Sequence, residues 1–243
     1  MSALFKKLFK NDNTAPRCSA VVLAAGSSSR MGTDKIMLNL GNCPVILHSL
    51  KVFEASPLIK EIIIVTRKEK ASELKRLCEE YSITKVSGVV EGGETRLESS
   101  FNGVTAASPD SEIIAIHDAA RPFITEELLE SLIAAAHKFH SAIPAIPAKD
   151  TVIIANNGFV DRTTDRSSTY LVQTPQVFDA DIIKGALSSA IKNNLPVTDD
   201  SSAVEALGIH TYIVEGSSEN IKLTDKNDFR LARVLFDIRG EAD

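Results

Sequence analysis

Residues 20–35 read AVVLAAGSSSRMGTDK. A short continuous apolar run, Val21-Val22-Leu23, passes into Ala24-Ala25-Gly26, then three serines, then Arg30 and Lys35. The apolar run is that of a strand buried on both faces, the kind found in parallel sheets covered by helices on both sides. A turn of small residues just beyond it lets backbone N–H groups come close to phosphate oxygens. Arg30 can grip a phosphate with two parallel N–H bonds, and Lys35 can act as a mobile point charge. The other reading is a polar surface loop with two solvated cations. The stretch lacks both GxGxxG and a following GK[ST], so it is neither a dinucleotide fingerprint nor a Walker A loop.

Outward from this stretch, strand and helix patterns alternate. EIIIVT (61–66), KVSGVV (85–90) and EIIAIHDAA (112–120) predict further strands. Between them, helical stripes run through Ile46, Leu50 and Phe53, through Leu74, Leu77 and Tyr81, and through Leu97, Phe101 and Val104. Thr125 caps a helix whose first turn is acidic and whose core stripe is Leu128, Leu129, Leu132, Ile133 and Ala136. AIPAIP (142–147) predicts a strand near an edge or bulge, because proline cannot donate to a ladder.

From Lys149 the pattern changes. TVIIANNGFV predicts a hairpin turning at Asn156-Asn157-Gly158, and YLVQTPQVF (170–178) a returning strand, so that about 149–171 form a projecting arm. A helix at about 179–193, another in TDDSSAVEALG, the strand TYIVEG and a last helix opening at Thr224-Asp225 complete the chain. That last helix carries Phe229, Ala232, Leu235 and Phe236 inward. The expected fold class is α/β, a doubly wound and mostly parallel sheet with a β-hairpin arm. Residues 19–238 are expected as one domain behind a frayed leader at 1–18, in which Leu4, Phe5, Leu8 and Phe9 alternatively line a short basic amphipathic helix.

A net charge of −5 in 243 residues gives no global basic character, which argues against nucleic acid as a partner. An anionic ligand must then be held by locally placed cations. No apolar run approaches the roughly 20 residues a membrane helix needs. Cys18, Cys43 and Cys78 are scattered without CxxC spacing, which fits a reducing cytoplasm and no thiolate metal site.

Four polar clusters follow strand ends, where open parallel sheets bind ligands: 27–35, 92–99, 117–121 and 215–222. Asp118, ending an apolar strand, can ligate Mg²⁺ beside substrate phosphates, orient a hydroxyl, or pair with Arg121 across the turn. His117 reads as a satisfied structural histidine. Gly92-Gly93 permit close backbone approach to a planar base that Ser99 can hydrogen-bond, or they simply join a strand to a helix.

The segments LAAGSSSRM with Lys35, GGETRLES, HDAARPF, IPAKDT, QTPQVF, TDDSSAVE and VEGSSENIKLT resemble, in order, those of the 2-C-methyl-D-erythritol 4-phosphate cytidylyltransferase family of the non-mevalonate isoprenoid pathway. The resemblance spans about Ser19 to Phe236. It implies a Rossmann-like nucleotidyltransferase fold, CTP and a polyol phosphate as substrates, and a homodimer made by exchanged arms. By motif, Arg30 and Lys35 would stabilise charge on the α-phosphate, while Ala24, Ala25, Gly26, Gly93 and Ser99 cradle the nucleotide. Thr151, Arg166, Thr198 and Lys222 would position the methylerythritol phosphate, with Asp118 and Arg121 nearby and Mg²⁺ bridging the triphosphate oxygens. Arg166 and Thr151, being on the arm, would reach the partner's site. Arg166 rather than Arg162 matches the family because it lies eight residues before Thr174. Asp34 and Ile36 flank Lys35 where the family commonly has proline and glutamine.

Two anions must meet in this reaction, so cations and geometry supply catalysis, and a phosphate monoester needs no general base. Rival readings are a ribitol-5-phosphate cytidylyltransferase, a sugar-1-phosphate nucleotidyltransferase and a non-catalytic nucleotide-binding module.

Overall fold

The computed structural model describes residues 15–26 and 34–240. Strand β1 (Cys18–Leu23) sits inside an eight-stranded sheet. A small hairpin follows it, β2 (Asn39–Leu40) and β3 (Cys43–Pro44), then helix α1 (Val45–Ala55). Next come β4 (Ile59–Thr66), α2 (Ala71–Glu80), β5 (Val86–Glu91), α3 (Arg96–Ala106), β6 (Ile113–Asp118), α4 (Glu126–Phe139) and β7 (Ser141–Pro147). β4 and then β5 add in parallel on one side of β1, whereas β6 pairs in parallel on the other. Strand order therefore reverses at β1, and the crevice beyond the carboxyl ends of β1 and β6 is where a ligand is expected.

The apolar runs alternate between two cores. Ala20 and Val22 of β1 face one, with Leu47, Leu50 and Phe53 of α1 and Leu129, Leu132 and Ile133 of α4. Val21 faces the other, with Val104 of α3. That is why the run Ala20 to Leu23 carries no polar side chain, while Ser19, buried near the strand's start, donates to Glu61 at 2.6 Å. Phe53 is fully buried, a contribution of roughly 1.5–3 kcal/mol relative to exposure.

The hairpin arm forms as β8 (Ile153–Asn156) and β9 (Phe159–Thr163), a two-stranded sheet of its own whose every residue is exposed. Asn157 and Gly158 turn it with φ of 48° and 83°, the conformation that a two-residue hairpin turn needs and that Asn and Gly adopt most readily. The returning segment 170–178 is one strand in the sequence reading but two in the structure, β10 (Tyr170–Val172) and β11 (Gln176–Asp179). Pro175 has no N–H to continue the ladder. β11 inserts antiparallel between β6 and the start of β7, and β10 pairs antiparallel with the end of β7.

β7 lies near an edge of the sheet, in line with the sequence expectation, but is not itself the edge, because β12 (Tyr212–Glu215) runs outside it. Pro144 falls where the partner strand changes from β11 to β10, so its missing N–H removes no ladder bond, while its carbonyl accepts from the Gln173 N–H at 2.8 Å. The remaining helices are α5 (Ala180–Lys192), α6 (Asp200–Glu205) and α7 (Lys226–Ile238), capped by Asp179, Asp199 and Asp225. Phe229, Ala232 and Phe236 of α7 are buried as its periodicity predicts, and Leu235 is partly so.

Candidate active site

At the strand ends lies a cavity of about 420 Å³. Its floor is the end of β1, Leu23 to Gly26, tied to both neighbours: the Ala24 N–H donates to Val65 O at 2.7 Å, and the Ala119 N–H donates to Leu23 O at 3.0 Å. Small residues here keep the backbone itself as the lining. Lys35 enters from a short 3₁₀ turn, Lys35–Met37, whose buried Ile36 lines the same cavity. Asp34, the unexpected residue before it, is held by Arg67 at 3.1 Å and Lys70 at 3.8 Å, which fixes the start of that turn.

A second wall is the turn from β5 into α3. Thr95 caps the helix: its hydroxyl accepts from the Glu98 N–H, and the Glu98 carboxylate accepts from the Thr95 N–H in return. Ser99 Oγ accepts from the Gly93 N–H at 3.1 Å and donates to Thr95 O at 2.9 Å. The GGETRLES segment is therefore a capped helix start folded onto the cavity, joining strand to helix as one of its two sequence readings has it.

The third side carries the charges. Asp118 accepts from Lys222 Nζ at 2.7 Å and lies 3.4 Å from Arg96 Nε, while the other end of Arg96 reaches the buried Asp200 at 2.8 Å. Burial by itself would push the Asp118 carboxyl up, but the Arg96 and Lys222 cations outweigh it and hold it well below the usual carboxylate range. Burial raises Asp200, opposed by Arg96. For Arg96, burial disfavours the charge but the two carboxylates more than compensate, so the guanidinium stays firmly cationic.

Behind this side His117 is fully buried, and its ring accepts and donates to fixed partners. Thr174 Oγ1 accepts from the Asp118 N–H at 3.1 Å, so its own proton goes to His117 Nδ1 at 3.1 Å, while Nε2–H donates to Arg121 O at 3.1 Å. Burial lowers its pKa to about 4, so it is neutral at pH 7 and works as structure. Asn220, also buried, donates to Thr174 O at 2.9 Å and sets the loop that presents Lys222.

Of the residues expected from sequence, Ala24, Ala25, Gly26, Lys35, Gly93, Ser99, Asp118 and Lys222 line this one cavity. Arg30 lies outside the described residues. Thr198 lines an adjoining cavity of about 230 Å³, reached past Thr95 and Arg96. Arg121 is turned away from the main cavity, donating to Asn220 O at 2.6 Å and lying 3.5 Å from Val172 O. Thr151 and Arg166 are exposed on the arm and are brought to neither cavity within this chain. Sequence reasoning missed Arg96, Thr224 and Asp200. Arg96 and Asp200 stand inside segments already singled out, GGETRLES and TDDSSAVE, but nothing in their spacing marks them as partners.

Among the described residues no group of three His, Cys, Asp or Glu side chains is placed to hold a metal ion. The cavity's carboxylates are Asp118 and Glu94. That donor set fits a hard cation carried mainly by triphosphate oxygens, not a closed protein cage. Among the described residues no helix is long and apolar enough to cross a membrane.

The family model for 2-C-methyl-D-erythritol 4-phosphate cytidylyltransferase matches residues 18–237. A curated protein of that name from Pelotomaculum thermopropionicum is 40% identical over 92% of this chain and 95% of its own length. Another, from Geobacillus kaustophilus, is 41% identical over 89% of this chain and 95% of its own length. Among solved structures, a 4-diphosphocytidyl-2C-methyl-D-erythritol synthase from Anaerococcus prevotii superposes with a TM-score of 0.82 at 32% identity, covering 98% of this chain and all of that one. A 2-C-methyl-D-erythritol 4-phosphate cytidylyltransferase from Thermus thermophilus gives 0.74 at 28% identity over 88% of this chain and 96% of that one.

Proposed function

The chain belongs to the 2-C-methyl-D-erythritol 4-phosphate cytidylyltransferase family, and from that premise we infer what each part of its cavity does. The reaction transfers the cytidylyl group of CTP to 2-C-methyl-D-erythritol 4-phosphate, giving 4-diphosphocytidyl-2-C-methyl-D-erythritol and pyrophosphate. A phosphate oxygen of the acceptor forms a bond to the α-phosphorus as the bond from that phosphorus to the pyrophosphate oxygen breaks. The carrying observation is that Lys35 and Lys222 line one cavity at the end of a small-residue strand, together with an ionised carboxylate, Asp118, that Lys222 and Arg96 hold. Cations so placed offset the repulsion of two anions and the charge that grows in the transition state.

In this assignment the 24–26 backbone, Gly93 and Ser99 hold the nucleotide. Lys35, with Arg30, neutralises the α-phosphate, and Lys222 takes the acceptor's phosphate. Thr198 meets the acceptor from the adjoining cavity. Mg²⁺, held by triphosphate oxygens with Asp118 beside them, would supply further positive charge at the same oxygens. Arg166 and Thr151 act on the partner subunit's cavity. What supports a homodimer is an arm whose apolar side chains face solvent in one chain, Phe159 at 79% and Val160 at 61% exposure, next to exposed Tyr170, Leu171 and Val172 on β10. The three free, buried thiols suit a reducing cytoplasm.

The test follows the oxygen. Methylerythritol phosphate labelled with ¹⁸O on its phosphate should give a product carrying label in the bridge between the two phosphorus atoms, with all pyrophosphate unlabelled. Label in the pyrophosphate, or CTP hydrolysis without coupling, would overturn the reading.

A further inference from the structure

Arg96, the first residue of α3, forms part of the wall between the two cavities and lines both. Its two ends are held by different carboxylates. Nη2 donates to Asp200 at 2.8 Å and Nε to Asp118 at 3.4 Å, and the other oxygen of Asp118 accepts from Lys222 at 2.7 Å. Charges therefore alternate along one line, Asp200, Arg96, Asp118, Lys222. The Asp200 side chain is only 1% exposed, so its sole charged partner in this line is Arg96. A buried ion pair adds little stability over apolar residues of the same size, so its place in the wall of a site calls for another reason.

We propose that Arg96 is a positioning residue: anchored by Asp200, it holds one oxygen of Asp118 and so limits that carboxylate to one bond from Lys222, whose remaining donors bind the acceptor's phosphate. The inference rests on the functional reading above. Lys222 is already the nearer cation to Asp118, and without Arg96 the carboxylate oxygen that Arg96 holds becomes available to that ammonium as well. Lys222 has three donors, and each one drawn to Asp118 is lost to a phosphate. Asp200 also opens α6, immediately after Thr198 and Asp199, so the same bond fixes the loop that meets the acceptor against the helix that frames the nucleotide. Arg96 thus sets the distance between the two substrates without touching the reacting atoms.

The test compares Asp200→Asn, Arg96→Lys and the double variant in the full-length protein, each with KM for CTP, KM for methylerythritol phosphate, kcat and melting temperature. Asp200→Asn keeps an acceptor for Arg96 but removes the charge that anchors it. The expected result is a KM for methylerythritol phosphate raised about tenfold or more, with KM for CTP within about twofold. Arg96→Lys should move the same constant further, and the double variant should be no worse than Arg96→Lys, because Asp200 acts through Arg96. If Arg96→Lys does not fold, Asp200→Asn decides alone. Unchanged KM values in folded variants would reduce the pair to structure and overturn the proposal, as would equal shifts for both substrates. Native protein that does not turn over methylerythritol phosphate would instead overturn the functional reading, and that is measured before any variant.

Discussion

Gly92→Ala tests how closely the nucleotide walls are fitted. A Cβ on Gly92 would lie 2.6 Å from Ala25 Cβ and 2.9 Å from Ser99 Oγ. Carbon atoms settle at about 3.5–4.0 Å, so roughly 1 Å has to be made up. Ala25 has no rotamer to yield. Ser99 could rotate only by giving up its bonds to the Gly93 N–H and Thr95 O, at 3.1 and 2.9 Å. The end of β1 or the start of α3 must therefore move. Overpacking of this kind costs about 1–3 kcal/mol, which for a chain of this size is about 2–12 °C in Tm. Both displaced elements line the cavity, and a misplacement near 1 Å costs up to about a hundredfold in rate, so kcat/KM for CTP should fall by at least about tenfold. Calorimetry and steady-state kinetics check both numbers. Gly88→Ala is the control, since its nearest contact is the flexible Ile63 Cδ1 at 3.1 Å. A Gly92→Ala protein with native Tm and native kcat/KM would refute the argument that this turn is closed by contact.

Lys35→Ala removes the cation proposed to face the α-phosphate; a unit charge at about 4 Å is worth about 4 kcal/mol at an effective dielectric near 20, so kcat should fall about a thousandfold with a smaller change in CTP affinity; unchanged turnover would remove Lys35 from the mechanism. Mixing Lys35→Ala with Arg166→Ala subunits should restore about a quarter of native activity if arms are exchanged, because half the dimers then hold one intact site, whereas no recovery would place Arg166 in its own chain's site. His117, neutral in the fold with a pKa of about 4, is protonated more readily once unfolded, near 6.5. Its contribution is full above pH 6.5 and is lost as pH falls toward 4, about 3 kcal/mol across that window. Chemical denaturation at pH 6.5 and pH 4.5 should show this slope in the native protein and a flatter one in His117→Asn; equal slopes would contradict the assignment.

Much of the fold is legible because it rests on local patterns. Unbroken apolar runs at β1, β4 and β6 indicate a covered parallel sheet, and Thr125, Asp179 and Asp225 announce their helices by capping chemistry. What is not legible depends on partners far along the chain. That β11 runs antiparallel between β6 and β7 leaves no mark on its own residues, and neither does the change of partner that lets Pro144 sit inside the sheet. The site divides in the same way. Residues brought to the cavity by backbone shape or by their position at a strand end, such as Gly26, Gly93 and Asp118, can be placed there from sequence. The Arg96–Asp200 pair joins residues 104 apart, so no spacing rule finds it, and only the fold shows that Arg121 turns from the cavity to Asn220.

Pyrophosphate release from purified protein with CTP and Mg²⁺, compared between methylerythritol phosphate and ribitol 5-phosphate, decides which acceptor the cavity serves. Release with methylerythritol phosphate and none above background with ribitol 5-phosphate is the predicted result. Release with ribitol 5-phosphate alone, or with neither, would contradict the account.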